Sequence, residues 1–102
     1  MSLYVSLVKF TPEGLATMKE KGVDRSEMVK RNVESSGGKL LHTYYCLGEY
    51  DAVAILDFPN NRSAIQSALL NASMGHIRIT TMPAVSRDEW REILQEMGEK
   101  AQ

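Results

Sequence analysis

Apolar positions recur at a spacing of two residues in some segments and at helical spacing in others, and this alternation predicts the elements. Residues 3–10 put Leu3, Val5 and Leu7 on one face and Tyr4, Ser6, Val8 and Phe10 on the other. Both faces are largely apolar, which predicts a central strand. Thr11 then offers an N-cap with Pro12 at the first helical position, so a helix is expected to about residue 20, with Leu15 and Met18 inward. Gly22 breaks it, and Asp24 with Glu27 forms a variant capping box that restarts a helix carrying Met28, Val29 and Val33. That helix ends at Ser35-Ser36-Gly37-Gly38. A phosphate cradle needs its glycines before a helix, where free N–H groups point outward; these follow one, so they read as a C-cap.

Residues 40–58 form the centre of the pattern: two β-rich runs, 39–47 and 50–58, flank Gly48-Glu49 as in a β-hairpin with a short turn. Pro59 ends the second run, and Asn60 and Asn61 can cap a helix whose Ile65, Ala68, Leu69 and Ala72 fall at i, i+3, i+4 and i+7, an amphipathic stripe. After Gly75, residues 76–85 read as a fourth strand with Ile77 and Ile79 on one face and Arg78, Thr80 and Met82 on the other. Ser86 with Glu89 opens a last helix whose apolar stripe is Trp90, Ile93, Leu94 and Met97, with a frayed tail expected after Gly98. The order β-α-β-β-α-β predicts an α+β, ferredoxin-like domain: a four-stranded antiparallel sheet with helices on one face. Residues 1–85 would form it, with 86–102 adding a C-terminal helix and tail to the same single domain.

Such a sheet has a second face that its own helices cannot cover. Reading even-numbered positions as one face, that surface carries Tyr4, Val8, Phe10, Tyr44, Ala52, Ala54, Leu56 and Met82, too large an apolar patch for a soluble monomer. A three-turn helix spans only ~16 Å and cannot cover four strands. The expectation is a homodimer with the two sheets face to face, braced by the helix at 87–97.

Composition narrows the partners. The 102 residues carry 25% charged side chains and a net charge of −1, with Lys and Arg scattered among acids. That removes the electrostatic basis for binding nucleic acid or an anionic membrane. No apolar run approaches the length of a membrane span, and the N-terminus shows no secretory signal pattern. Cys46 is the single cysteine, so no intrachain disulfide can form and the cytoplasm is the expected compartment.

On the same even-numbered face, alternation gathers Tyr4, Ser6, His42, Tyr44 and Arg78, the mixture of aromatic and polar groups that lines a ligand cavity. These five are the candidate ligand-binding residues. His42 and Tyr44 could move a proton on a small polyketide-like or aromatic substrate while Arg78 steadies an oxyanion. No triad marks a nucleophile, so no catalytic residue is assigned. His42 and Cys46 lie ~13 Å apart along a strand, and no other spacing suits metal ligands, so neither metal nor cofactor is expected. Gly48, Tyr50 and Asp51 read as turn architecture: Gly48 supplies a positive φ, Asp51 accepts backbone N–H groups, and Glu49 is a solvated tip residue.

The run Tyr44-Tyr45-Cys46-Leu47-Gly48-Glu49-Tyr50-Asp51 resembles the turn that names the GYD domain family, a Gly-x-Tyr-Asp motif. Residues 4–9 followed by Phe10-Thr11-Pro12-Glu13-Gly14 resemble that family's opening strand and helix start, and Gly75-His76-Ile77-Arg78 resembles the beginning of its fourth strand. Pro83 stands where a basic residue is expected and Cys46 where a Thr is usual. The resemblance implies a dimeric α/β barrel, a superfamily that holds small monooxygenases, cyclases, haem-degrading enzymes, isomerases and effector-binding domains. A similar turn occurs in the ligand-binding domain of leucine-responsive-type regulators, which bind amino acids at subunit interfaces. The functional expectation is therefore a small cytoplasmic homodimer binding a small organic ligand in a cavity on the sheet face. Its alternatives are a cofactor-free monooxygenase- or cyclase-like enzyme lined by His42, Tyr44 and Arg78, an effector-binding module with its ligand near Gly48, or a purely structural dimer.

Overall fold

The computed structural model describes residues 2–22 and 25–100. Its elements run β1 (Ser2–Phe10), α1 (Pro12–Lys21), α2 (Ser26–Ser35), β2 (Lys39–Tyr45), β3 (Ala52–Phe58), α3 (Asn61–Ala72), β4 (Ile77–Ala84) and α4 (Arg87–Lys100). The four strands form one sheet in the order β2-β3-β1-β4, antiparallel throughout, which is the ferredoxin-like arrangement with its first helix divided in two.

The caps explain the boundaries. Thr11 Oγ1 accepts the Gly14 N–H and donates to the Gly75 carbonyl, so one hydroxyl starts α1 and ties it to the approach to β4. Gly22, with φ 67°, ends that helix by donating to the Met18 carbonyl. Asp24 of the expected capping box lies outside the described residues, and Arg25 occupies the N-cap of α2. At the other end, Gly37 N–H bonds to Glu34 C=O and Gly38 N–H to Val33 C=O, the paired bonds of a Schellman motif around Gly37 at φ 87°. Asn60 caps α3 through the Ser63 N–H, and Ser86 caps α4 through the Glu89 N–H. Helix α4 continues through Gly98 to Lys100 instead of fraying there.

Two expectations about faces are corrected. The buried row of β1 and β3 is Tyr4, Ser6, Val8, Ala52, Ala54, Leu56 and Phe58, and it packs under the helices with Val33 and Ala64 instead of forming the open face. The open face carries Leu3, Val5, Leu7, Val53 and Ile55. Helix α3 likewise turns Ala64, Ser67 and Asn71 inward, leaving Ile65 and Leu69 of the expected stripe exposed. The hairpin is also longer than a two-residue turn: Cys46 N–H bonds to Asp51 C=O, and the intervening loop places Gly48 at φ 110°. Asp51 holds this loop against β1, its N–H donating to Val8 C=O and its carboxylate accepting the Phe10 N–H at 2.8 Å.

Candidate ligand cavity

Strand register places two rows of side chains on the helix side of the sheet. One row runs Thr43, Ala54, Ser6, Thr81 across the four strands, and the next runs Tyr45, Ala52, Val8, Ile79. The small residues at Ser6, Ala52 and Ala54 leave room beneath the helices, and Val29, Val33, Ala64, Ser67, Ala68 and Asn71 form the roof. Between floor and roof lies a cavity of about 70 Å³. Most of its wall is apolar, but Ser6 Oγ and Thr81 Oγ1 share a hydrogen bond of 2.8 Å on its floor. Above them, the buried Asn71 accepts from Asn32 Nδ2 at 2.8 Å.

Fully buried residues wall one end of the cavity, and half-buried or exposed ones the other. Phe58 and Leu56 lie at the end where α2 finishes against β2. Ten residues of helix carry the start of α2 back by ~15 Å, toward the other end of the sheet where Phe10 pairs with Ile77. There the lining residues are Arg25, Ser26, Met18, Tyr45, Phe10 and His76. His76 Nδ1 lies 2.8 Å from the Met74 carbonyl, which can only accept, so Nδ1 is the donor of that bond. Arg25 is half-buried, and its Nη2 donates to Met28 Sδ at 3.1 Å.

The five candidate residues divide among four places. Ser6 lines the cavity, whereas Tyr4 is buried beside it with its hydroxyl donating to Asn61 Oδ1 and its ring edge-on to Phe58. His42 and Tyr44 are exposed on the open face, where their rings stack at 6.1 Å between centroids. Arg78 is on that face too, but on β4, the opposite edge strand from β2. Three strand spacings separate those edges, about 14 Å. One small ligand on a single protomer cannot touch both.

The reason is parity. Antiparallel pairing joins even to even between β1 and β3, but even to odd between β1 and β4, as in Val8 with Ile79. In β2 a bulge at Leu41 shifts the register between Leu40 and His42, so Leu40 faces the helices while His42 faces away. Reading along the strands could not reveal either change. Alternation therefore does not single out Thr43, Tyr45, Ser67, Asn71, Thr81 or Arg25; the one signal in the sequence is the set of small residues Ala52, Ala54 and Ala64, which permits close helix approach.

Among the described residues no three His, Cys, Asp or Glu side chains cluster as metal ligands would, and no helix is long and apolar enough to cross a membrane. A ferredoxin-like sheet with a partly enclosed cavity under its helices defines a small α+β domain. Its sequence matches the GYD domain family over residues 4–94, and the chain belongs to that family. No curated protein matches it significantly. A solved structure provisionally assigned as a glycine cleavage system transcriptional repressor is similar at 13% identity with a TM-score of 0.48, over 84% of this chain and 47% of that one. The chain thus spans about half the length of that protein.

Proposed function

We propose that this protein is a small-ligand-binding domain that acts as a homodimer and holds its ligand in the cavity between sheet and helices. The cavity carries the reading. Protein interiors pack to crystal density, and a space of about 70 Å³ between sheet and helices departs from that packing. Its apolar wall with a few convergent polar groups is the make-up of a small-molecule site. An occupant would recover the lost contacts.

Dimerisation is supported by the uncovered sheet face, with Val5, Leu7, Val53 and Ile55 at its centre, and by the exposed stripe of α4. A cytoplasmic location is supported by the single free cysteine, Cys46, which is exposed. Binding is favoured over catalysis because the enzyme alternative needs His42, Tyr44 and Arg78 around one substrate, and within one protomer they lie on opposite edges of the sheet.

Benzene, a neutral apolar probe, tests the cavity. In a titration followed by ¹H–¹⁵N correlation spectra it is expected to shift the amides of Val29, Val33, Ala54 and Ile79 saturably, and Ala54→Leu should abolish the effect by filling the space. Shifts confined to the open face would refute this site.

A further inference from the structure

We propose that the cavity selects small apolar carboxylic acids, with Arg25 reading the carboxylate; the inference rests on the cavity being the ligand site. Its lining includes Ser, Thr, Tyr, Asn and His side chains, but among the described residues that line it there is no Asp or Glu, and Arg25 supplies the only permanent charge. The local field therefore favours an anion over a neutral ligand and disfavours a cation.

Geometry fits the same occupant. Arg25 is half-buried at the less buried end, so a headgroup bound there leaves the body of the ligand to fill the apolar floor of Val8, Ala54 and Ile79. A guanidinium presents five N–H donors in a planar fork matched to a carboxylate, and the thioether of Met28 uses only one of its nitrogens, weakly. The N-cap position of Arg25 sets the positive end of α2 behind it. Size limits the ligand: at roughly 10–15 Å³ per water-sized position, the space of about 70 Å³ suits on the order of five to seven non-hydrogen atoms.

The test compares 3-methylbutanoate with 3-methylbutanamide, equal in shape and different in charge, titrated into the full chain and followed by ¹H–¹⁵N correlation spectra. The acid is expected to bind at least tenfold more tightly. Arg25→Gln should close that gap by weakening the acid about tenfold and the amide much less, and Arg25→Lys should restore part of it. Because Arg25 is only half-buried, the spectrum of the variant reports directly that the fold persists. Equal binding of acid and amide overturns the carboxylate inference and leaves the cavity reading standing. If neither binds, the inference falls, and the benzene titration decides separately whether the cavity reading falls with it.

Discussion

A methyl group added at Gly14 would overlap the His76 carbonyl oxygen, the same oxygen that accepts the Thr11 N–H at 3.1 Å. Helix propensity alone would make Gly14→Ala stabilising by up to about 1 kcal/mol. The contact is with backbone that cannot rotate aside, so the expected outcome is the opposite, a loss of roughly 1–3 kcal/mol in urea unfolding. A stabilised variant would show that α1 does not press on the approach to β4. Gly48 is a contrasting case: nothing lies within reach of an added Cβ, yet its φ of 110° is one that L side chains rarely adopt. Gly48→Val should therefore also destabilise by about 1–3 kcal/mol, through backbone strain, without changing affinity for a cavity probe. Here the sequence was informative, because a Gly-x-Tyr-Asp turn announces both the positive φ and the tethering acid. Gly14 gave no such warning, since nothing in a local pattern shows which backbone will lie against it.

Helix α3 raises the same issue one level up. Its larger apolar residues point outward, Ile65 at 59% and Leu69 at 65% exposure, while Ser67 and Asn71 are 3% exposed. Substituting Ile65→Gln or Leu69→Gln should change the stability of the fold by no more than about 0.5 kcal/mol. Asn71→Ala should cost roughly 1–3 kcal/mol, because Asn32 loses its partner. Reversed magnitudes in urea titrations would mean that the helix presents its other face. The elements themselves were legible from caps, glycines and periodicity, and their order was enough to define the sheet. Their orientation was not, because hydrophobic periodicity ranks faces by apolar content while close packing on Ala52 and Ala54 rewards small residues. The strands were ambiguous for a related reason: with both faces of β1 and β3 apolar, only the cross-strand register assigns an inside. A site read from alternation alone consequently spans both sides of the sheet.

For the whole molecule, the decisive feature is α4. A compact chain of this length has a radius of gyration of ~13 Å; this one reaches 16.1 Å with a long dimension of 60 Å. Every residue of α4 is exposed, and its stripe leaves Trp90 at 55%, Leu94 at 47% and Met97 at 58%. Its fourteen residues span ~21 Å, too short to cover the chain's own open sheet face. In the proposed dimer a second copy would cover both surfaces, since face-to-face sheets would bury Leu7 and Ile55 from each side and bring each α4 alongside the partner. Burying a large apolar side chain contributes about 1.5–3 kcal/mol, so Trp90→Ser with Leu94→Ser should weaken the dimer by roughly two orders of magnitude or more. Leu7→Glu, which sets like charges against each other at the centre of the interface, should abolish it. Sedimentation equilibrium distinguishes the two surfaces: loss with Leu7→Glu alone would leave α4 free for another partner, and an unsubstituted chain that is monomeric at micromolar concentration would refute the dimer. Because the cavity lies on the helix side of the sheet, a ligand held there would touch residues of one protomer only. The Leu7→Glu monomer should therefore retain its affinity for a cavity probe, and a parallel loss of binding would place part of the site across the interface.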